Sequence, residues 1–479
     1  MDMFKKKSLC AALAGIGALG VAGAAQAVNV SGNGLGQVLI YPYYTVRNDN
    51  AGNAYNSLIT VVNTTNSAKS VKVRFLEGKN SREVLDFNLF LSKHDVWTAA
   101  VSASGAGGGI IQSSDNSCIL PNQLPASGQP FVNYQYTGSN DDGGGTTLDR
   151  TMEGYVEIIE MATYSPTSTT SVNVTHVSGV PPGCAKETDA LAASEALAPS
   201  GGLMGTMTLI NVDSGNEFSY NAVALANYST NNLYAASGLV QPDLTEAFPP
   251  ISTVFTSNAT YQSTWGLGTA DPVTATLMHD NVMNEYVLDS ITKSGTDWVV
   301  TMPTKRFYVF PAAKPSPAER PFQRNFVGGV ACDDVSLAIY DREERTTSTP
   351  LNFSPPPPTS TNSLCYEANV VTFNNSNVLG SVNSANIPTG FQNGWLDIGW
   401  TPNSSATGAH QLINSGGTVI TPLGGTATTG NSVVYVGVPV VGFAVETYSN
   451  GAIPVAGASV LSNYGGTFTH RYTTFVAVP

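Results

Sequence analysis

Three glutamates crowd one segment of the sequence in a pattern that could support acid–base chemistry. Glu153, Glu157 and Glu160 lie in or beside residues 154–161, a run that predicts a β-strand. Paired carboxylates act as acid and nucleophile, or acid and base, in glycosidases. Side chains alternate across a strand, so Glu157 and Glu160, three positions apart, are expected on opposite faces. This geometry leaves a glycoside hydrolase only as an alternative.

Other catalytic motifs are missing from the sequence. It contains no G-x-S-x-G nucleophile motif and no H-E-x-x-H zinc motif. His279 and Asp280 lie on a predicted helix, where a solvated face explains them better than a catalytic or metal site. The charges of residues 341–345 largely cancel, as in an exposed loop. The histidines are scattered: His94, His176, His279, His410 and His470. We therefore expect a protein without catalytic activity.

Two short segments could bind ligands. Residues 140–143, Asn-Asp-Asp-Gly, place oxygen atoms beside a tight turn, so Ca²⁺ is the one cofactor left open. The later bidentate acid of an EF-hand is absent, which argues against a calcium site of that kind. Tyr41, Tyr43 and Tyr44 could stack on sugar rings if they were exposed. Their ordinary role would be core or cross-strand packing.

The amino terminus has a pattern typical of a bacterial Sec-type signal peptide. Three lysines at residues 5–7 precede an apolar run at 9–21, and Ala-Gln-Ala at 25–27 supplies the small residues that signal peptidase requires. The apolar run is too short for a membrane-spanning helix, and no stop-transfer pattern follows it. We therefore expect residues 1–27 to be removed and the mature protein to lie outside the cytoplasm, whether secreted, on the cell surface or in the periplasm.

The mature chain is acidic but poor in charged residues. Without residues 1–27, which hold three lysines and one aspartate, the net charge of −13 becomes about −15. Such a surface repels phosphate backbones and anionic lipids, so neither nucleic acid nor a membrane surface is expected as a partner. Charged residues form 11% of the chain, against a typical quarter, so solubility depends on neutral polar groups. The longest apolar run, residues 433–445, contains Pro439 and is too short for a transmembrane helix.

Cysteine usage also points to an oxidising compartment. The mature chain has four cysteines and no C-x-x-C or cysteine–histidine cluster with zinc-site spacing. An even number in an exported protein predicts two disulfides, for which three connectivities are allowed. We predict the sequential pairing, on the hypothesis that each bond stays on its own side of a proline-rich boundary. The predicted bonds are Cys118–Cys184 and Cys332–Cys365.

The clearest structural pattern lies between residues 57 and 101. Apolar residues within 71–75 alternate with Lys72 and Arg74, which predicts a strand with one face on a core and the other in water. Turn residues separate it from a strand on either side. This pattern resembles an immunoglobulin-like sandwich, so we expect a mainly β fold of antiparallel β-sandwich domains. Further strands are predicted at 154–161, 203–212, 298–302, 306–310, 368–373, 395–400 and 433–445.

Two short helices are also predicted. Residues 185–198 are rich in alanine and leucine, and residues 272–287 follow an aspartate that can cap a helix beginning at Pro272. Within the second segment, apolar residues recur on one helical face, which indicates packing on a sheet.

Prolines suggest how the chain divides into domains. Four of them punctuate residues 311–321, which we interpret as a linker. An N-terminal β-rich region of one or two sandwich domains would cover residues 28–310, and a C-terminal β-rich domain would cover residues 322–479. A second proline run, Pro355–Pro358, is expected at the tip of a disulfide-closed loop.

These observations favour a secreted or cell-surface structural or adhesive protein of the bacterial envelope that assembles with itself. The support is compositional: an exported, disulfide-bonded β protein without a catalytic motif. The alternative is an extracellular carbohydrate-binding protein or glycoside hydrolase. The expected partners are accordingly other copies of the chain or cell-surface glycans.

We predict that the mature protein begins at Val28, because Ala25 and Ala27 occupy the positions that signal peptidase reads. Intact-mass measurement of the exported protein checks this prediction. A mass that includes residues 1–27 would contradict it.

Overall fold

A computed structural model describes residues 26–311, 320–347, 352–354, 362–400, 409–420 and 427–479. Residues 1–25 of the predicted signal peptide, most of the predicted linker and Pro355–Pro358 lie outside these residues. The described chain is mainly β, with several antiparallel sheets and short helices, so the predicted fold class is confirmed. The resemblance to an immunoglobulin-like module stays a prediction.

The first thirteen strands form two sheets that face each other. Seven strands form a sheet of order β1-β13-β2-β10-β4-β5-β8, and six form a sheet of order β12-β11-β3-β6-β7-β9. Apolar side chains of both sheets share one core, as in a β-sandwich. The strands are β1 (Asn29–Val30), β2 (Val38–Thr45), β3 (Asn56–Asn63), β4 (Lys69–Glu77), β5 (Glu83–Leu91), β6 (Val96–Ala103), β7 (Gly109–Gln112), β8 (Ile119–Leu120), β9 (Gln129–Pro130), β10 (Glu153–Thr163), β11 (Leu203–Asn211), β12 (Asn216–Asn221) and β13 (Val223–Ala226).

The remaining strands form three larger sheets and two short pairs. The larger sheets have the orders β14-β15-β25-β26-β31, β20-β24-β17-β30 and β23-β22-β18-β28-β29, and the pairs are β16-β27 and β19-β21. Only β22 and β23 pair in parallel among the described strands. The strands are β14 (Ile251–Phe255), β15 (Thr260–Thr264), β16 (Met278–His279), β17 (Asn281–Val287), β18 (Gly295–Thr301), β19 (Asp333–Asp334), β20 (Ser336–Asp341), β21 (Ser363–Leu364), β22 (Ala368–Phe373), β23 (Ser384–Ile387), β24 (Asn393–Gly399), β25 (Gln411–Ile420), β26 (Thr428–Val436), β27 (Val438–Pro439), β28 (Val441–Val455), β29 (Ala458–Thr469), β30 (Arg471–Thr473) and β31 (Val476–Ala477).

The helices are shorter than the sequence predicts. They are α1 (Thr169–Val174), α2 (Asp189–Glu195), α3 (Asp271–Leu277) and α4 (Arg306–Val309). Within the predicted helix 185–198 only α2 is α-helical, and its N-cap is Thr188, whose side chain accepts a hydrogen bond from the amide of Leu191. The strand predicted at 306–310 is wrong, because α4 occupies it.

The helix predicted at 272–287 is wrong over its second half. The helix ends at Leu277, and β17 follows at Asn281–Val287. Val282 and Tyr286 are four positions apart, a spacing that places two residues on one face of a helix and equally on one face of a strand. Pairing with β24 on one side and β30 on the other supplies the backbone hydrogen bonds of this segment, so tertiary context decides its structure.

The sheets do not divide at residues 311–321. Strands β15 to β18 precede that segment, yet they pair with strands that follow it, as β15 does with β25 and β18 with β28. The change from one set of sheets to the other falls between β13 and β14. The linker itself stays a prediction, since most of it lies outside the described residues.

The two sets of sheets meet at the beginning of the described chain. Val28 is fully buried and bridges Ser252; its amide donates to the carbonyl of Ile251 at 2.8 Å. Nearby, Leu277 and Val441 pack in one apolar cluster with side chains of the seven-stranded sheet. The first residues of the N-terminal sandwich are therefore held by the C-terminal half.

Two disulfides join the cysteines in the predicted sequential order. Cys118 is bonded to Cys184, and Cys332 is bonded to Cys365. The first bond ties β8 to the loop before α2, and the second lies beside the β19-β21 pair. Two disulfides in one chain fit an oxidising, extracytoplasmic compartment.

We expect the double variant Cys118→Ser/Cys184→Ser to lose about 4 kcal/mol of unfolding free energy, because the bond removes chain entropy from the unfolded state. Its sequence separation is 66 residues, twice the 33 of the other bond. The matched variant Cys332→Ser/Cys365→Ser should lose about 0.6 kcal/mol less, since each doubling of a loop adds roughly that amount. Urea unfolding measures both, and an unchanged free energy in either variant would contradict the prediction.

Candidate functional site

The three glutamates of β10 are buried and bound to basic residues. Each is at most 1% exposed, so none faces a substrate. Glu153 also accepts hydrogen bonds from the hydroxyls of Tyr43 and Ser381, at 2.7 and 2.6 Å. The ion pairs are Arg47 Nε to Glu153 Oε1 at 3.3 Å, Arg74 Nη1 to Glu157 Oε2 at 2.5 Å, and Lys69 Nζ to Glu160 Oε1 at 2.5 Å. This arrangement compensates charges rather than presenting a catalytic pair.

The predicted solvent face of β4 is wrong, because its cations are buried. Lys72 and Arg74 are 0% and 2% exposed. The Nζ of Lys72 lies 2.9 Å from Asp86 and also donates to the carbonyl of Leu239 at 2.8 Å. Leu239 belongs to residues 228–247, whose apolar side chains pack over this face of the seven-stranded sheet. An alternating pattern therefore marks a strand here, but both of its faces are covered.

The other ligand-binding candidates of the sequence are also committed to internal contacts. Tyr41, Tyr43 and Tyr44 are fully buried, so they are not a sugar platform. Within the segment 140–143, Asp142 accepts two hydrogen bonds from Arg150, at 2.7 and 3.0 Å. Both carboxylate oxygens of Asp142 are thus bound by the guanidinium. Within the described residues, no cluster of three or more metal-binding side chains occurs.

The histidines and the 341–345 cluster do not form a shared site. The carboxylate of Asp341 accepts hydrogen bonds from Arg345 Nε at 2.6 Å and from the amide of Glu343 at 3.0 Å. These bonds close a turn in which acidic and basic side chains compensate each other. The histidine contacts are His94 Nε2 with Asn66 at 2.8 Å, His176 Nδ1 with Ser92 at 3.2 Å, His279 Nδ1 with Thr474 at 2.9 Å, His410 Nε2 with Asp333 at 3.8 Å, and His470 Nε2 with the carbonyl of Val299 at 2.9 Å. His279 stands on β16, so the helix face predicted for it is wrong.

A projecting β-hairpin is the feature that sequence reasoning missed. Strands β28 and β29 pair from Phe443–Thr469 to Val455–Ala458 and are joined by a two-residue turn. Ala456 and Gly457 both have positive φ, 48° and 84°, as a type I′ turn requires. Beyond Thr447, β28 no longer pairs with β18, so the hairpin continues as a ribbon of two strands. We call residues 448–464 the arm.

The arm exposes apolar side chains on both faces. Ile453 and Val455 share one face and are 46% and 49% exposed, while Leu461, on the other face, is 49% exposed. The sequence from Thr447 to Thr469 contains no Asp, Glu, Lys or Arg. This lack of charged residues could already be recognised in the sequence. A two-stranded hairpin alone is marginally stable in water, and exposed apolar edge strands pair readily with another chain.

Comparison with known proteins gives no relative. No family model, curated protein or solved structure matches this chain. In the part of the chain that the structure describes, no helix is long and apolar enough to cross a membrane.

A buried carboxyl group makes the stability of the fold depend on pH. Glu367 is fully buried beside α4 and accepts a hydrogen bond from the amide of Arg306 at 3.3 Å. Burial raises the pKa of Glu367 to about 8, against the opposing influence of Lys305. In the folded protein its carboxyl group is therefore protonated at pH values where the unfolded chain is ionised.

We expect the unfolding free energy to fall as the pH rises from 5 to 8. The folded state binds more protons than the unfolded state in this range, so Glu367 contributes a slope of up to about 1.4 kcal/mol per pH unit. Glu367→Gln should remove that contribution and flatten the profile, as measured by urea unfolding at several pH values. Glu217→Gln, which changes an exposed carboxylate of β12, is the control. Parallel profiles for wild type and Glu367→Gln would contradict the prediction.

Proposed function

We propose that this protein is an extracytoplasmic structural protein that associates with copies of itself through the arm. The observation that carries the proposal is the arm itself, a charge-free ribbon with apolar side chains on both faces. Monomeric proteins seldom expose contiguous apolar surface of this kind, and such surface marks interaction sites.

Three features support the compartment. Both disulfides require an oxidising environment. The signal pattern at residues 1–27 agrees with export, and the low content of charged residues fits a protein that works outside the cytoplasm. Secretion and placement at the cell surface are part of the proposal.

The distribution of charge makes the arm the segment through which two copies of the chain can meet. The mature chain carries a net charge of about −15, so most orientations of two copies repel each other. The arm lacks ionised side chains between Glu446 and Arg471, which makes it the segment where two acidic copies can approach at the least electrostatic cost. High salt, which screens the remaining repulsion, should therefore promote association.

The arm can add strands on both of its sides. In the described structure the outer side of β28 has no strand partner beyond Thr447, although the amide of Ser449 donates to the carbonyl of Thr292 at 2.8 Å, and β29 is the last strand of its sheet. Near its base, the arm is supported where the side-chain Nδ2 of Asn463 donates to the carbonyl of Ser214 at 2.8 Å. Edge-to-edge pairing of arms would satisfy backbone groups and bury the apolar side chains. Because a ribbon has two edges, repeated pairing would give a filament or layer rather than a closed dimer.

We expect Ile453→Lys/Leu461→Lys to keep the mature protein monomeric, because a charge on each face of the arm repels a second copy. Sedimentation velocity over a concentration series, with electron microscopy of the same samples, measures the effect. Wild type should show larger species that grow with concentration and with salt.

Leu267→Lys is the matched control, since Leu267 is 70% exposed and lies in the loop between β15 and α3, outside the arm. It should assemble like wild type. Circular dichroism confirms that each variant is folded. A wild-type protein that stays monomeric, or an arm variant that assembles as well as the control, would overturn the proposal.

A further inference from the structure

The four-stranded sheet β20-β24-β17-β30 has one buried and one open face. Val282 and Tyr286 of β17 and Leu396 of β24 point into the C-terminal core. Side chains alternate along strands, so Glu285 and Trp395 point the opposite way. The register places them side by side, since Glu285 pairs with Trp395 across the two strands.

An aromatic pair stands on the open face. Trp395 is 40% exposed, and the ring of Tyr340 stacks on it with centroids 4.7 Å apart and planes inclined by 17°. Tyr340 and Trp395 also pair in register on neighbouring strands. Stacking and strand pairing fix the orientation of the indole ring, so one of its faces is covered and the other stays available.

The available side of the indole opens onto a groove of about 420 Å³. Trp395 lines this groove together with Glu285, its neighbour on the side opposite Tyr340, so the groove lies beside the indole face that Tyr340 leaves uncovered. Phe468, which is 41% exposed, forms a second apolar wall. The polar lining consists of Asn284, Glu285, Thr467, Thr469 and Arg471.

Two charged groups of the groove are available to a ligand. Among the described residues, Glu285 and Arg471 form no ion pair, and Arg471 donates only to the carbonyl of Thr469, at 3.3 Å. A carboxylate accepts hydrogen bonds and a guanidinium donates them, so the groove offers both kinds of group beside an aromatic surface.

We propose that this groove binds a neutral pyranose unit of a glycan. A pyranose ring has an apolar C–H face, which matches the indole, and a rim of hydroxyl groups that both donate to Glu285 and accept from Arg471. An apolar segment such as the arm of another copy would bury these two charges without hydrogen bonds, which is costly. The opposite charges of Glu285 and Arg471 leave no net charge to select an ionic sugar.

The proposal goes beyond self-association and uses a different surface. Its test is a printed array of oligosaccharides built from glucose, mannose, galactose and xylose, with uronic and sulphated sugars on the same array. The full mature protein is applied in a dilution series. We expect wild type to bind neutral oligosaccharides, Trp395→Phe to bind within a few-fold of wild type, and Trp395→Ala to bind at least tenfold more weakly.

Controls separate the groove from other effects. Tyr134→Ala removes an aromatic side chain that is 72% exposed in the N-terminal half, and it should bind like wild type. Glu285→Gln should weaken binding while leaving the unfolding midpoint unchanged, because Glu285 is exposed. Absence of binding to every neutral sugar, binding confined to charged sugars, or unchanged binding by Trp395→Ala would each overturn the proposal.

Discussion

Burial of both faces of the seven-stranded sheet is the constraint on which the rest of the structure depends. One face packs against the six-stranded sheet with apolar side chains. The other carries Lys72, Arg74 and Glu157, which can leave water only when they are paired and covered. Residues 228–247 and α3 provide that cover, and loss of one partner of a buried pair would cost about 3–5 kcal/mol. The N-terminal sandwich is thus completed by the segments that lead into the C-terminal half.

The sequence predicted local structure well and long-range pairing poorly. Strands with an alternating sequence, such as β4, follow from patterns that lie within a short stretch of chain. The sequential disulfides were predicted correctly, although the sheets do not divide at the boundary from which they were inferred. The burial of Lys72 and Arg74 depends on residues more than 150 positions away, which no local pattern encodes. For the same reason β17 was taken for a helix: its strand character comes from β24 and β30.

The candidate sites were less predictable, because exposure decides them. Clustered glutamates such as Glu157 suggest a catalytic site in a sequence. In the structure they form ion pairs with basic side chains, as Glu157 does with Arg74. Tyr41, Tyr43 and Tyr44 suggest a sugar-stacking surface in the sequence, but their side chains are buried in the structure. Trp395 belongs to a run that the sequence identified as a strand, but only the register with Tyr340 and Glu285 shows that its indole stands at a groove. The lack of charged residues in the arm was visible in the sequence. It indicates an interaction surface only because the hairpin projects from the sheet.

The bridge between Val28 and Ser252 has a consequence for how the chain matures in time. A polypeptide that emerges with its amino terminus first presents Val28 more than two hundred residues before its partner strand β14. Until residues 251–255 arrive, the leading edge of the seven-stranded sheet is unpaired, and unpaired edges of nascent chains are aggregation-prone. Closure of this edge therefore waits for residues 251–255, and a chaperone that shields the leading strand would act in this interval.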